Sequence, residues 1–391
     1  MIRRKSEVTE QIENNDRSEV KETVELVGPR VDKINRDILI PSGSTLVNLA
    51  CSDNPYGAYS KGTINTMPGK SQGGKSFMMM TMLACCAAEE RFNDYSLIYD
   101  DAEETMSFDL EELFYPLYSG EGDPTYLYNG RLIPPDIDKK TKKPICSNTI
   151  QDFKANIIRW CQGDKPFIYI LDSLDVLTSS EEMKREYKEA LKSGNMELIR
   201  EAKGSYKMEK AKHIGETLRI VNGLIKRTGS ALFIIQQTRQ NISGGFGAKS
   251  WKTSGGEGPF FYSYHQLYFS EKQQITDTSH GLTHKIGGVK QVEVVKNKLT
   301  GKKRKDGVEF PMYESFGVDD IASCVDFLKK TKHWKSDSAG VTATEFDIKL
   351  SRDKLVEYIE ENRLDEQLQG IVGNVWNEIE DSICIKRRRR F

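Results

Sequence analysis

Short apolar runs recur along the chain, and each closes on polar or charged residues. Ser96-Leu97-Ile98-Tyr99, Phe167 to Ser173 and Ala231-Leu232-Phe233-Ile234-Ile235 are the clearest, and Thr63 to Met67 makes a fourth. Runs of this length predict strands buried on both faces, as in a parallel sheet. Segments with helical spacing lie between them. Phe77 to Ala88 is apolar and free of Pro and Gly, and Thr149 to Cys161 is amphipathic. His213 to Arg227 sets Ile214, Leu218, Val221 and Leu224-Ile225 on one face. The alternation predicts an α/β core, a mostly parallel twisted sheet with helices on both faces.

The pattern then changes. Tyr262 to Ser270, Gly288 to Lys296 and Gly307 to Glu314 alternate, which predicts antiparallel strands added at the C-terminal side of the core, with Leu299 to Asp306 as a basic turn. Lys329 to Glu345 reads as a polar hinge, and residues 346–384 return to helical spacing as a small α-rich domain. Thr45 to Cys51 predicts a short buried helix, residues 119–150 an insertion or long loop, and residues 180–212 a surface helix of mixed charge. Residues 1–37 hold eight basic and nine acidic residues with few apolar ones, a helix that needs a partner or a disordered arm. The division is therefore 1–37, 38–330 and 331–391.

Charge changes the picture locally. The formal net charge is −1, yet Lys285 to Asp306 holds eight Lys/Arg against two acids, and Lys386-Arg387-Arg388-Arg389-Arg390 adds five more. Such blocks suit phosphate-rich partners, or form solvated faces. The seven cysteines include no C-x-x-C pair, and Cys85 and Cys86 read as small core residues, which fits a reducing compartment. Neither a signal peptide nor a membrane-length apolar run is visible, so a cytoplasmic protein is expected.

The chemistry starts at Gly69-Lys70-Ser71-Gln72-Gly73-Gly74-Lys75-Ser76, the G-x-x-x-x-G-K-S phosphate-loop pattern opening a helix. Glycines let successive N–H groups turn inward, and the helix N-terminus adds partial positive charge. Lys75 is expected to reach β- and γ-phosphates, and the Ser76 hydroxyl a Mg²⁺ ion. The apolar run closing on Asp172 is the Walker B pattern, with the carboxylate expected to hold the shell of that same Mg²⁺. Asp101, Glu103 and Glu104 crowd the end of the second strand, the edge where open α/β sheets bind ligands. Gln240 to Pro259 has six glycines and reads as a mobile loop. With Arg239 before it and Phe246, Lys249, Trp251 and Lys252 within it, stacking on bases and pairing with phosphates is expected. A lid over nucleotide fits the same residues.

Taken in order, these motifs resemble the RecA recombinase family, and within it phage recombinases of the UvsX kind. The resemblance runs from about Ile38 to Ser382. It rests on Ile40-Pro41-Ser42-Gly43-Ser44, Lys61-Gly62 and the phosphate loop, then Asp101-Ala102-Glu103, Asp172-Ser173, Gln236-Gln237 and Val294-Val295-Lys296-Asn297-Lys298. It implies Glu103 as the general base for water attack on the γ-phosphate, Gln237 as the γ-phosphate sensor, and the glycine loop as the single-stranded DNA site. It further implies that Lys296 and Lys298 reach a neighbouring subunit's nucleotide. ATP with Mg²⁺, single-stranded and duplex DNA, a helical self-assembly and single-strand-binding or mediator proteins are the implied ligands and partners. The resulting expectation is a DNA-dependent ATPase acting in homologous pairing, strand exchange and repair. A ring helicase on the same core and an ATP-binding regulatory protein remain alternatives.

Overall fold

A computed structural model describes residues 34–106, 108–118, 127–128, 130–184, 206–240, 251–253, 255–383 and 385. Residues 1–33, 119–126, 185–205, Phe246, Lys249 and the basic run 386–390 lie outside the described residues.

The core is a ten-stranded sheet. Its strands are β1 (Thr63–Gly69), β2 (Ser96–Asp101), β3 (Leu132–Ile133), β4 (Phe167–Asp172) and β5 (Ala231–Gln240), followed by β6 (Trp251–Thr253), β7 (His265–Ser279), β8 (Leu282–Asn297), β9 (Arg304–Tyr313) and β10 (Gly317–Val318). The order across the sheet is β10-β9-β8-β7-β1-β5-β4-β2-β3, with β6 paired to β5. The stretch from β7 to β3 is parallel, and β8 to β10 are antiparallel additions, as the pattern predicts.

Alternation along each strand fills both faces. Leu97, Tyr99, Ile168, Ile170, Phe233 and Ile235 pack with α1 (Thr45–Ser52) and α2 (Lys75–Ala88) on one side. Ile98, Phe167, Tyr169, Leu171, Leu232 and Ile234 pack with α3 (Ile150–Cys161) and α4 (Tyr206–Thr228) on the other. A capping box, Thr149 with Asp152, fixes the start of α3.

Several expectations need correction. The 119–150 stretch is more than a loop, since Leu132–Ile133 pairs with β2 as the sheet's edge strand. The glycine-rich segment carries regular structure where it is described: Trp251–Thr253 pairs with β5, and Gly258–Tyr262 forms α5. A Cβ on Gly258 would meet the Gly215 backbone of α4 at 3.2 Å, so this glycine serves close packing. The hairpin β7–β8 runs on to a tip at His280-Gly281, because its distal residues pair through backbone while staying exposed and carry little apolar alternation. The hinge at Lys329–Glu345 carries β11 (Lys335–Asp337) and β12 (Gly340–Ala343), which with β13 (Ile348–Leu350) form a small sheet over the buried Trp334. That sheet accompanies α6 (Asp320–Lys330), α7 (Arg352–Glu361) and α8 (Asp365–Ser382).

Half of the basic block is neutralised internally. Lys302 binds Asp53 and Glu380 at 2.7 Å each, and Arg304 binds Glu380 at 2.7 Å, clamping α8 to the core. Lys285 and Lys290 both bind Glu271. Among the described residues no helix is long and apolar enough to cross a membrane.

Candidate functional site

Strand register gathers the site. Gly69 pairs with Gln237, Asp101 with Asp172 and Phe269 with Gly69, so the carboxyl ends of β1, β5, β4, β2 and β7 stand level. The phosphate loop leaves β1 here and enters α2. Gln72 and Gly74 take positive φ values of 60° and 85°. A Cβ on Gly69 would sit 2.5 Å from the Phe269 carbonyl, and one on Gly73 would sit 3.0 Å from the Lys70 carbonyl. The loop thus needs glycine where backbone crowds backbone.

Lys75 is buried, and its ammonium donates to the carbonyls of Gly69 (3.2 Å) and Lys70 (2.7 Å). Burial pushes its pKa below the usual range, opposed by the carboxylates of Asp172, Asp175 and Glu103. Burial pushes Asp172 upward, opposed by hydrogen bonds from the hydroxyls of Ser76 and Tyr99. The Tyr99 hydroxyl donates to Asp172 Oδ2 at 2.6 Å. Ser76 and Asp172 are therefore brought together beside Lys75, a hard-oxygen pair of the kind Mg²⁺ takes alongside phosphate oxygens. Among the described residues no group of three or more His, Cys, Asp or Glu forms a metal cage.

Of the three acids at the end of β2, Glu103 turns into the site. Its Oε1 accepts from Gln237 Nε2 (3.2 Å) and Ser173 Oγ (2.5 Å), and its N–H donates to the Asp172 carbonyl. Asp101 instead caps the backbone of Met106, and Glu104 is exposed with φ 52°. The Gln237 N–H is in turn held by Asp175 Oδ2 at 2.6 Å.

A cavity of about 480 Å³ opens beside the loop, between Gln72–Phe77 on one side and Lys285, Lys290 and Met312–Glu314 on the other. Lys70, Ser71 and Gly69 do not line it. Lys296 and Lys298 are likewise absent from its lining. Lys296 pairs with Gln266, itself opposite Thr66, which leaves it about 10 Å short of the sheet's carboxyl edge. Its ammonium donates to the carbonyls of Phe260 and Phe261 and lies 4.7 Å from the Phe260 ring centroid. Burial, then the neighbouring Lys298, pulls its pKa down to about 8. Lys298 is exposed.

Arg239 and Lys252 are exposed and paired across the β5–β6 hairpin, and Trp251 stacks on Tyr268 with centroids 4.8 Å apart. The nearest pair of this hairpin, Thr238 with Thr253, stands one residue beyond Gln237. Sequence reasoning passed over Tyr99, Asp175, Glu271, Lys285 and Lys290. Asp175 has a local signal, three residues after Asp172. The others are brought in only by strand pairing.

Residues 169–318 match the RecA N-terminal domain. Protein RecA of Borreliella burgdorferi (strain ZS7) is 28% identical over 185 residues, 44% of this chain and 47% of that protein. The chain thus spans about half the length of this relative. Protein RecA of Bacteroides thetaiotaomicron is 25% identical over 358 residues, covering 89% of this chain and 90% of that protein. Protein RecA of Borrelia hermsii is 25% identical over 304 residues, covering 76% and 72%. The family match begins after the phosphate loop and Glu103, which the longer similarities and the sheet register join to it. With the α/β architecture and the motif order around one sheet edge, these findings make the chain similar to RecA proteins, through a family match over residues 169–318 and a weaker likeness over most of its length.

Proposed function

We propose that the chain is an ATP-dependent DNA recombinase. It assembles as a filament on single-stranded DNA and promotes homologous pairing and strand exchange. The observation that carries this reading is the contact of Glu103 with Gln237 beside Lys75, on a strand that leads directly into the segment bearing Arg239, Trp251 and Lys252.

ATP is the substrate that fits the glycine loop. Glu103 takes a proton from water as its oxygen attacks the γ-phosphorus, and the bond to the β–γ bridging oxygen breaks. Lys75 stabilises the charge that develops on the phosphate oxygens. Ser76 and Asp172 are the residues that would hold Mg²⁺, which supplies further charge neutralisation when bound. Lys296 and Lys298, outside their own protomer's cavity, would complete the site of a second copy, so that turnover requires assembly. Gln237 exchanges Glu103 for the γ-phosphate and shifts the β5–β6 hairpin, which links nucleotide state to DNA grip. Trp251 and the neighbouring cations contact the strand by stacking and phosphate pairing.

Turnover of ATP with and without single-stranded DNA tests the reading. Stimulation on the order of tenfold or more is expected, because completing a charge-stabilised site is worth about that or better. Filaments should appear by negative-stain microscopy with a slowly hydrolysed analogue. Absence of both stimulation and filaments would overturn it.

A further inference from the structure

The cavity beside the phosphate loop has a cationic wall that comes from the same protomer. Lys290 is buried, with its side chain 9% exposed, and donates to the Gln72 carbonyl at 3.0 Å and to Glu271 Oε2 at 2.6 Å. Lys285 reaches both oxygens of the same carboxylate, at 3.0 and 3.1 Å. Both lysines line the cavity, and Glu271 does not. A Cβ on Gly288 would stand 2.8 Å from Glu271 Oε2, so the missing side chain leaves room for the carboxylate beside Lys290, its partner across the strands. Two ammonium groups therefore line a nucleotide-sized space, and both are held by one acid outside that lining.

We propose that Glu271 sets the affinity of this site by competing with the ligand's phosphates for Lys285 and Lys290. The inference rests on reading the site as one for nucleoside triphosphate. Without ligand, the buried Lys290 needs an anion close by, and Glu271 supplies it. When a polyphosphate enters, the ammonium groups face a second, richer set of acceptors, and the carboxylate repels it. Removing that one negative charge must then strengthen binding, and must do so most for the most highly charged nucleotide. A carboxylate that only props up the fold has the opposite sign, since its loss leaves Lys290 poorly paired and loosens the loop at Gln72.

The test is equilibrium binding by calorimetry to the full chain, without DNA, using the β,γ-imido analogue of ATP, then ADP and AMP, all with Mg²⁺. Glu271→Gln is expected to bind the triphosphate about three- to tenfold tighter, with a smaller gain for ADP and least for AMP, and with the gains shrinking as salt rises. Unchanged or weaker binding, or equal changes for all three nucleotides, overturns the proposal. Should Glu271→Gln fail to fold by circular dichroism, the more exposed Lys285→Met decides. It should lose affinity in the same graded order, and an ungraded or absent loss overturns the proposal. A wild-type chain that binds none of the three overturns the nucleotide reading itself, a distinct result.

Discussion

Gln237 Nε2 donates to Glu103 Oε1 at 3.2 Å, across the ends of two strands that are not neighbours. β4 lies between them and contributes Ser173, whose hydroxyl donates to the same oxygen at 2.5 Å. One carboxylate oxygen is thus shared by the residue expected to sense nucleotide and by the turn that follows Asp172. Glu103 is oriented before any ligand arrives, and Gln237 can leave it only by trading one hydrogen bond for another.

Replacing Glu103 by Gln should therefore separate binding from turnover. The amide keeps the shape and can still accept from Ser173, yet takes up no proton. ATP hydrolysis should fall by about 10²–10⁴-fold, with nucleotide affinity within a few-fold of wild type. Steady-state turnover and calorimetric binding, measured on the same preparation, check the split.

Gln237→Ala should leave the fold and the phosphate loop intact and break the link to DNA. The ratio of single-stranded DNA affinities with a slowly hydrolysed ATP analogue and with ADP should collapse to about one. Fluorescence anisotropy of a labelled oligonucleotide measures it.

Lys296 gives a pH signature. Burial, then Lys298, holds its pKa near 8, down from 10.5. The ammonium is present below that value and is lost as pH rises through it. Assembly from free protomers, and with it the onset of DNA-stimulated turnover, should accordingly fall off above about pH 8. Lys296→Arg keeps its charge and should flatten this alkaline limb. The same burial disfavours the charged form in the lone protomer. Its fold is therefore relieved of that cost between about pH 8 and 10.5, and unfolding alone should not produce the activity loss.

Two glycines should respond with opposite signs. Gly69→Ala drives a Cβ to 2.5 Å from the Phe269 carbonyl, where the neighbouring atom is backbone and cannot swing away. A loss of about 1–3 kcal/mol is expected, with nucleotide binding impaired further. Gly223→Ala, in α4 with open space around its Cβ, should stabilise by up to about 1 kcal/mol. Thermal denaturation of the two variants provides the comparison.

The parallel core was legible because its strands are buried on both faces, so Phe167 to Asp172 and Ala231 to Ile235 show as apolar runs with polar ends. The phosphate loop was legible because its glycines are demanded by local geometry. The long β7–β8 hairpin was not. Residues such as Gln273, Asp277 and His284 are held by backbone pairing in an exposed ribbon, which leaves no apolar period to read. Nor was the Glu271–Lys290 contact, since 19 residues separate partners that only the hairpin register brings together. The basic block misled for a related reason. Lys302 and Arg304 look solvated in sequence, but Asp53 and Glu380, far along the chain, take them up.

Completion of one protomer's nucleotide site by Lys296 of another is the claim with most at stake, and mixing two inactive variants tests it. Glu103→Gln lacks the base and Lys296→Ala lacks the donated charge. Combined in equal amounts on single-stranded DNA, random assembly pairs an intact Glu103 with an intact Lys296 at about a quarter of the interfaces. Turnover near a quarter of the wild-type rate is the predicted result. Turnover no greater than the sum of the two variants measured separately would contradict it.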